Sequence, residues 1–367
     1  MQPKWEVADV VRKVTLRDTE HTVHQQKTLR AIASCRTADL GGHVDVCDDC
    51  GIIHISYNSC RNRHCPKCQG HQREAWIQQR EADLLPCRYY HVVFTLPASL
   101  NSLALCQSKL VYNILFKSAW ATLSQFGQGV GLQMGMIAIL HTWGQTLSLH
   151  PHLHCVVPGG GIDKAGKWRQ QVRSDKYLFP VKAMSKVFRA KYVSEMRSRQ
   201  IGNQPLYDEL FSQNWVVYAK RPFGGPKQVI EYLGRYTHKV AISNHRIKDV
   251  AGGKTIFSYK DYREGGKVKE MSLSHEEFVR RFSQHILPPR FVRIRHYGIL
   301  SSMWKRGKLQ ALQKELKVKR PETATAVQTL LRKCPCCKTG TLITIEIFGK
   351  RGPPKAYLLE TEIVPEC

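Results

Sequence analysis

Residues 150–157 read His-Pro-His-Leu-His-Cys-Val-Val, and the alternation of imidazole and apolar side chains in this stretch predicts a β-strand. Successive side chains of a strand point to opposite faces, so His150, His152 and His154 share one face. Residues two apart are separated by ~6.6 Å along a strand and residues four apart by ~13 Å, so only adjacent imidazoles converge comfortably on one ion. Because Pro151 places His150 at the strand start, we predict that His152 and His154 are a chelating pair. The alternative is an ordinary pair of surface or core histidines.

The segments around this strand predict a sheet flanked by helices. Residues 88–96 form a β-branched and aromatic run, and residues 134–142 are expected to pair with 148–157 as a second strand. Residues 98–126 and 181–199 have helical periodicity. Since strands and helices alternate along the chain, the fold class is α+β or α/β.

The charge of the chain points to a nucleic-acid partner. Lys and Arg number 56 against 29 Asp and Glu, which gives a formal charge of +27 in 367 residues. With 42% hydrophobic residues, the composition is that of a folded protein rather than a basic disordered tail. No apolar run reaches the ~18–20 residues of a membrane span, and Lys4, Glu6 and Asp9 interrupt any signal-peptide pattern. We therefore expect a cytoplasmic protein that associates with the nucleoid when it binds DNA and has no membrane partner.

Two Cys-x-x-Cys pairs near the N-terminus predict a structural zinc site. Each pair presents two thiolates, and the 14 residues between the pairs are close to the usual zinc-ribbon spacing. Four thiolates fill a tetrahedral ion and leave no open position, so the site is expected to be structural rather than catalytic. The four predicted ligands are Cys47, Cys50, Cys65 and Cys68.

Further residues extend or compete with that site. Cys60 and His64 are possible additional ligands, and together with Cys35 they form an alternative second site. The basic residues nearby suit contact with DNA phosphates, unless they form only a solvated face. They are Arg61, Arg63 and Lys67. The tail motif from Cys334 to Cys337 contains half a zinc site and no nearby partner pair, so it is left without a role.

A tyrosine pair lies in residues 229–238, which have the pattern of a helix. Tyr232 and Tyr236 are four residues apart, so both hydroxyls emerge from one helix face. Core packing is the alternative explanation for such a pair. Arg235 and Lys239 would place cations where a phosphodiester must lie, which favours a functional role. A tyrosine in that position can act as a covalent nucleophile.

Three motifs together carry a family resemblance. HPHLHCVV at 150–157, YLGRY at 232–236 and YNSCRNRHCPKC at 57–68 resemble the rolling-circle transposases of the insertion sequence 91 family, two-tyrosine members of the HUH endonuclease superfamily. The resemblance runs from about Cys35 to Cys337 and keeps the family's motif order. It implies an α+β protein in which an N-terminal zinc-binding domain precedes a ferredoxin-like (RRM-like) catalytic domain and a basic C-terminal extension. The expected boundaries are 1–85, 86–300 and 301–367.

The resemblance also assigns roles to the motif residues. His152 and His154 become ligands of a catalytic Mg²⁺ or Mn²⁺ ion, and Tyr232 and Tyr236 become the nucleophiles. The third metal ligand is left open among His150, Gln145 and His141. Tyrosine attack on single-stranded DNA leaves a 5′-phosphotyrosine and a free 3′-OH, and the second tyrosine allows strand exchange.

No nucleotide cofactor is expected for this chemistry, because the phosphodiester energy is conserved in the phosphotyrosine bond. The sequence agrees with this expectation. Gly253-Lys254-Thr255 resembles the end of a phosphate-binding loop, but Lys248 stands where the first glycine is required.

The expected partner is single-stranded DNA at the element ends and at the target site. Single-strand binding commonly combines cations with aromatic platforms. Arg293 and Arg295 alternate with Phe291 and Tyr297 and offer such a face if this segment is a strand, or else a solvated basic edge.

Two other functions are compatible with these patterns. A plasmid replication initiator or relaxase of the same superfamily would use identical chemistry. A non-catalytic, zinc-dependent DNA-binding protein would use only the cysteines and the basic residues. Metal-dependent nicking of DNA distinguishes the last possibility from the others.

Overall fold

The structure is a computed structural model that describes residues 3–16, 21–68, 77, 80, 82–171, 178–219, 228–229, 234, 240–318 and 332–357. The described α-helices are α1 (Val7–Arg12), α2 (Val23–Ala33), α3 (Asn101–Cys106), α4 (Ser108–Gln128), α5 (Val181–Ser198), α6 (Gln204–Ser212), α7 (His275–Ser283), α8 (Ser302–Lys305) and α9 (Lys308–Glu315). The described strands are β1 (Gly42–Cys47), β2 (Ile53–Tyr57), β3 (Tyr89–Thr95), β4 (Gly135–Trp143), β5 (Leu149–Pro158), β6 (Gly160–Ile162), β7 (Trp168–Gln170), β8 (Val217–Ala219), β9 (Ile247–Ala251), β10 (Lys254–Asp261), β11 (Lys267–Ser274), β12 (Ile294–Gly298) and β13 (Leu342–Phe348).

The central sheet has the order β12-β4-β5-β3-β8, and its neighbouring strands are antiparallel. Along the chain, α3 and α4 connect β3 to β4, and α5 and α6 connect β5 to β8. This βαββαβ succession with the strand order β8-β3-β5-β4 is the ferredoxin-like arrangement, to which β12 is added beside β4. The expected α+β fold is confirmed.

The alternation of side chains divides the central sheet into two faces. Tyr90, Val92 and Phe94 of β3 point to one face, where they pack with Phe116 of α4 and Phe188 of α5 in the largest hydrophobic core. Burial of these aromatic side chains holds both crossover helices on the same face of the sheet. Polar side chains on the central strands are therefore left to the opposite face.

The opposite face is covered only in part by apolar side chains. Ile137 and Ile139 of β4 and Val156 of β5 pack there with Leu309 and Leu312 of α9. Further along the same strands, histidines replace these apolar residues. The two ends of this face therefore differ in chemistry.

A small sheet of order β13-β1-β2 joins the two ends of the described chain. Leu342–Phe348 pairs antiparallel with Gly42–Cys47, in a register that places Cys47 opposite Leu342. The sequence prediction of a separate C-terminal extension did not include this strand. Its pairing partner lies about 300 residues earlier in the chain, so no local pattern identifies it.

The N-terminal helices share a core with a later part of the chain. Val7 and Val10 of α1 and Leu29 of α2 are buried together with Phe257 of β10 and Phe278 of α7. Ser274 caps the N-terminus of α7, because its hydroxyl accepts a hydrogen bond from the backbone N–H of Glu277. The N-terminal segment is therefore packed against the region between β8 and β12 in the chain.

No described helix is long and apolar enough to cross a membrane.

Candidate metal centres

Three histidines converge on the partly open face of the central sheet. Antiparallel pairing of β4 with β5 places His141 directly opposite His152, and strand alternation places His154 on the same face as His152. One ring nitrogen from each of the three lies within 4.8 Å of the others. The Nε2 atoms of His152 and His154 are 3.2 Å apart. The structure therefore brings together the predicted pair and adds His141 as the third candidate ligand.

Hydrogen bonds at the Nδ1 atoms orient both rings of the pair. The Nδ1 of His152 lies 2.6 Å from the carbonyl oxygen of His150, to which it donates. The Nδ1 of His154 lies 2.9 Å from Nε2 of His91, a buried residue on β3. With Nδ1 in these contacts, Nε2 is the nitrogen that each ring would present to a metal ion, which is the usual arrangement of histidine ligands. His91 is the residue that sequence reasoning missed at this site.

Burial controls the charge and access of the cluster. His141 and His154 are buried, whereas His152 is only partly so. Desolvation lowers the pKa of His152 to about 4, so its imidazole is neutral at pH 7. Neutral imidazole is the form that binds a metal ion.

A tryptophan supports the third ligand. The ring of Trp143 stacks on that of His141 with centroids 4.5 Å apart, and His141 meets His154 edge to face at 4.5 Å. These contacts restrict the rotation of the His141 ring. Three imidazoles with remaining open positions fit a divalent transition metal that keeps solvent or substrate as a further ligand.

The other two candidates for the third ligand lie outside this group. His150 is exposed and is not one of the three converging histidines; its carbonyl oxygen accepts from Nδ1 of His152, and its ring lies against the His152 ring with centroids 5.1 Å apart. Gln145 faces the sheet of β9, β10 and β11, where its Oε1 accepts a hydrogen bond from the backbone N–H of Lys260 (3.5 Å). Its carbonyl oxygen accepts from Arg246. The loop between β4 and β5 thus turns Gln145 away from the histidines.

The predicted nucleophiles and two predicted DNA contacts lie outside the described residues. They are Tyr232, Tyr236, Arg235 and Lys239. Val229, which precedes them, is described and is buried among Ile137, Ile139 and Val156 on the histidine face of the sheet.

The cysteines form two separate groups of four. The first group is Cys35, Cys60, Cys65 and Cys68, and the second is Cys47, Cys50, Cys334 and Cys337. In each group the sulfur atoms all lie within 4.8 Å of one another. The predicted grouping of the two N-terminal pairs around one ion is therefore wrong.

The length of a hairpin explains this correction. Cys47 ends β1 at the turn of the β1–β2 hairpin, whereas Cys60 follows the far end of β2. The five residues of β2 span ~17 Å, which is too long for one tetrahedral ion to bridge. At that far end Arg36 donates a backbone hydrogen bond to Asn58 (3.1 Å), which brings Cys35 to Cys60.

Of the possible additional ligands in this segment, Cys60 joins a cysteine group and His64 does not. His64 Nε2 lies 3.3 Å from the backbone nitrogen of Leu287 and accepts its hydrogen bond. Desolvation holds the pKa of His64 well below its usual range, and Arg63 and Arg293 lower it further. His64 thus serves the packing of the N-terminal segment against residues 285–291.

Two predicted DNA contacts near the cysteines are used inside the protein. The Arg63 guanidinium donates to the carbonyl oxygens of Phe291 (2.5 Å) and Pro288 (2.9 Å). Lys67 forms an ion pair with Glu6 and donates to the carbonyl oxygen of Cys35 (3.2 Å). These contacts satisfy the cations within the fold and correct the prediction that they face phosphate. Arg61, in contrast, is exposed.

The basic and aromatic residues around β12 also face the protein. Arg295 lies over the ring of Phe116 at 4.1 Å and donates to Asn113 of α4 (2.5 Å). Tyr297 stacks on Trp120 of the same helix with centroids 5.3 Å apart. The predicted single-strand-binding platform is therefore a helix-packing face, because β12 lies at the edge of the sheet that α4 covers.

Arg293 occupies a second internal position. It lines a small cavity with His64, His285 and Trp143. Desolvation and the nearby Arg63 lower its pKa to about 10. Arg293 thus lies beside His64 and His285 inside the protein rather than on an open DNA-binding face.

Comparison with known proteins identifies the family. Residues 135–308 match the family described as "Putative transposase", and residues 7–96 match the "Transposase zinc-binding domain" of insertion sequence 91 elements. A protein of Sinorhizobium fredii (strain NBRC 101917 / NGR234), named "Putative transposase y4qJ", is 40% identical over 390 residues, which cover 96% of this chain and 98% of the relative. The chain belongs to the insertion sequence 91 family of transposases.

A second relative agrees with this assignment. The "Transposase for insertion sequence element IS801" of Pseudomonas savastanoi pv. phaseolicola is 28% identical over 319 residues, which cover 80% of this chain and 73% of the relative. No solved structure matches the transposase.

The matched ranges divide the candidate centres of the transposase. His141, His152 and His154 lie in the transposase match, and the first cysteine group lies in the zinc-binding match. Cys334 and Cys337 lie beyond both matches. The four thiol sulfurs of the first group fit a structural zinc ion.

Proposed function

We propose that this transposase cuts and rejoins single-stranded DNA by metal-assisted tyrosine attack, through a 5′-phosphotyrosine intermediate, as in rolling-circle transposition. The observation that carries the proposal is the convergence of His141, His152 and His154 on the face of the sheet opposite the crossover helices. His152 is partly exposed among the described residues, which supports access of a DNA strand to the group. Because the family consists of transposases, DNA is the proposed substrate.

The three histidines would hold a divalent ion through the ring nitrogens that converge in the cluster. Such an ion supplies Lewis-acid polarisation of the scissile phosphate. His91 and the carbonyl of His150 keep the Nε2 atoms of His154 and His152 directed at the cluster. Trp143 keeps His141 in place by stacking. Mg²⁺ prefers oxygen ligands, so three imidazoles favour Mn²⁺ or another transition metal as the most active ion.

Tyr232 and Tyr236 are the proposed nucleophiles. Val229, three residues before Tyr232, is buried on the face of the sheet that carries the histidines, beside Ile139 of β4 and Val156 of β5. The chain is thus on the histidine-bearing side of the sheet at Val229, which supports the proposal. The i,i+4 spacing of the two residues supports their joint use at one site.

The covalent chemistry balances without a nucleotide cofactor. The Oη of one tyrosine forms a bond to the scissile phosphorus while the bond to the 3′ oxygen breaks, and the phenolic proton is lost to solvent as the 3′ oxygen gains one. A 3′-OH then attacks the phosphotyrosine, which restores a phosphodiester and releases the tyrosine. The number of high-energy bonds is unchanged, so joining requires no nucleotide hydrolysis.

The test uses end-labelled single strands that carry the flanks of the protein's own gene. With Mn²⁺ or Mg²⁺ we expect a denaturation-resistant protein–DNA adduct that disappears in the Tyr232→Phe, Tyr236→Phe double variant. His152→Ala and His141→Ala should each reduce adduct formation by at least about 10²-fold, since each removes one proposed ligand. Comparison of the two single tyrosine variants shows which residue cuts first.

Tyr262→Phe is the matched control, because Tyr262 is exposed and lies outside the site. An adduct that survives in the double tyrosine variant would exclude these nucleophiles. Absence of any adduct on either strand, with intact DNA binding, would overturn the catalytic proposal and favour a DNA-binding protein without nicking activity.

A further inference from the structure

We propose that Cys47, Cys50, Cys334 and Cys337 form a second zinc site, which fastens the C-terminal segment of the transposase to its N-terminal segment. This site is distinct from the group of Cys35, Cys60, Cys65 and Cys68. Its Cys47 and Cys50 lie within the zinc-binding match, whereas Cys334 and Cys337 lie beyond it. Its two halves are separated by about 290 residues of chain, which include the whole central sheet.

The sulfur atoms are arranged as a closed four-thiol group. Cys47 Sγ lies 3.7 Å from Cys337 Sγ, and Cys50 Sγ lies 3.7 Å from Cys334 Sγ. Zn–S bonds of ~2.3 Å in a tetrahedron place sulfurs slightly less than 4 Å apart, so the observed separations suit one ion. Each close pair takes one sulfur from either end of the chain. The ion would therefore bridge the two ends rather than complete one local loop.

The backbone of both Cys-x-x-Cys motifs supports thiolate ligands. The backbone N–H of Cys50 donates to Cys47 Sγ (3.5 Å), and that of Gly340 donates to Cys337 Sγ (3.2 Å). In both cases the donor is the backbone N–H three residues after the cysteine whose sulfur accepts the hydrogen bond. Such hydrogen bonds favour the charged thiolate over the thiol.

The two motifs are also held together independently of the sulfurs. The backbone N–H of Thr341 donates to Asp48 Oδ1 (2.7 Å), and that of Asp48 donates to the carbonyl oxygen of Thr341 (3.1 Å). Gly340 lies so close that a Cβ atom there would be 2.4 Å from Cys47 Sγ. The ladder between β1 and β13 continues from this point. The thiols are therefore positioned by the fold and do not meet by chance on flexible tails.

Zinc is the metal that this donor set favours. Four sulfurs close a tetrahedral site and leave no open position, which is typical of a structural zinc ion. The two cysteine groups lie at opposite ends of the β1–β2 hairpin, so each requires its own ion. The full chain should consequently bind two zinc ions, one for each group.

The first measurement is the metal content of the purified full chain by elemental analysis. We expect two zinc ions per chain in the wild type and one in Cys334→Ser and in Cys337→Ser. Cys60→Ser should also retain one ion, held by the second group. Cys106→Ser is the matched control, because Cys106 is an exposed free thiol outside both groups, and it should retain two.

A second measurement needs no variant and is therefore independent of folding defects. The native wild-type protein is treated with a thiol-alkylating reagent, before and after zinc removal by a chelator, and the modified cysteines are located by mass spectrometry. Cys50 and Cys106 are both exposed. We expect Cys106 to react in both samples, and Cys50, Cys334 and Cys337 to react only after zinc removal.

These measurements also separate this proposal from the proposed function, because neither of them uses DNA. One zinc ion per wild-type chain, or alkylation of Cys50 in the native protein at the rate of Cys106, would overturn the second site. Unchanged zinc content in Cys334→Ser would overturn it as well. Loss of both ions in that variant would contradict two independently filled sites. Iron in place of zinc would contradict the choice of metal.

Discussion

At the scale of single residues, the histidine cluster is in contact with a buried side chain that lies outside the three converging histidines. His91 contacts Nδ1 of His154 from the neighbouring strand β3. If His154 uses Nε2 for a metal ion, its Nδ1 carries the proton and donates a hydrogen bond to Nε2 of His91. His91 is therefore a positioning residue, which fixes the tautomer and the ring orientation of a ligand.

Replacement of His91 tests this role. We expect His91→Ala to weaken Mn²⁺ binding by about 10–100-fold, because the His154 ring loses its fixed tautomer. His91→Gln keeps a hydrogen-bond acceptor and should recover part of the affinity. Calorimetric titration of Mn²⁺ measures both effects, with the exposed His245→Ala as control. Unchanged affinity in His91→Ala would contradict the positioning role.

A second buried histidine should make stability depend on pH. His285 donates through Nε2 to the carbonyl oxygen of Leu147 (3.1 Å), and its Nδ1 lies 3.2 Å from Thr142 Oγ1. Burial lowers its pKa to about 4. The unfolded chain, with a histidine pKa near ~6.5, binds the proton more readily, so this contribution to stability is complete above pH ~6.5 and is lost as the pH falls towards ~4.

The loss attributable to His285 amounts to about 3 kcal/mol across that window, at ~1.4 kcal/mol per pKa unit. Urea unfolding at pH 7.5, 6 and 5 should show a weaker pH dependence for His285→Gln than for the wild type. His245→Gln, at an exposed position, should keep the wild-type dependence. Identical pH dependence in the wild type and His285→Gln would contradict this assignment.

At the scale of elements, strand β12 and helix α4 use basic and aromatic residues for packing. Arg295 covers Phe116 and contacts Phe291, and Tyr297 covers Trp120. A guanidinium over an aromatic ring contributes both cation–π attraction and buried methylene surface. A pattern of alternating cations and aromatic residues is therefore compatible with an internal interface as well as with a DNA-binding strand.

Arg295→Ala distinguishes these two uses. We expect it to lower the free energy of unfolding by about 1–2 kcal/mol, through lost packing and the lost hydrogen bond to Asn113. Its affinity for single-stranded DNA should stay close to that of the wild type. Arg61→Ala should behave in the opposite way, because Arg61 is exposed. Urea unfolding and fluorescence anisotropy measure the two quantities. A large loss of DNA affinity in Arg295→Ala with unchanged stability would restore the earlier interpretation.

At the scale of the whole molecule, the formal charge of +27 is expected to make association with DNA depend strongly on salt. Cations that replace condensed counterions make the logarithm of the affinity fall linearly with the logarithm of the salt concentration. Several of the cations nearest the cysteines and β12 are occupied within the fold. The exposed cations therefore set the slope of log affinity against log salt concentration. Their number is smaller than the total charge suggests.

The salt dependence of single-strand binding measures how many cations take part. If 6–10 phosphates of a single strand are contacted, at a slope of about 0.7 per phosphate, affinity should fall by about 3 × 10² to 2 × 10⁴ between 50 and 200 mM salt. Arg61→Ala should reduce the slope by about 0.7, the contribution of one contact to a single strand, and Arg63→Ala should leave it unchanged. A reduced slope in Arg63→Ala would show that its guanidinium also reaches phosphate.

The local parts of this protein could be read from its sequence. Strand β5 and the shared face of His152 and His154 follow from a two-residue period, which depends only on neighbouring residues. The helix at Val181–Ser198 follows in the same way from its apolar spacing. Each Cys-x-x-Cys motif likewise predicts a local turn with two thiolates. The ferredoxin-like arrangement was inferred from family resemblance and not from these patterns.

Tertiary structure decided which of these local parts meet. His141 and His91 join the predicted chelating pair, His152 and His154, because β4 and β3 flank β5 in the sheet. The two N-terminal cysteine pairs separate because β2 lies between them, and Cys47 and Cys50 instead meet a motif near residue 334. Strand registers and contacts across about 290 residues depend on the packing of the whole chain. No local period encodes these long-range contacts. The sequence by itself therefore determined the pairs of candidate ligands, which are two histidines on one strand face and two cysteines in each Cys-x-x-Cys motif. The folded chain determined which pairs and which further residues meet.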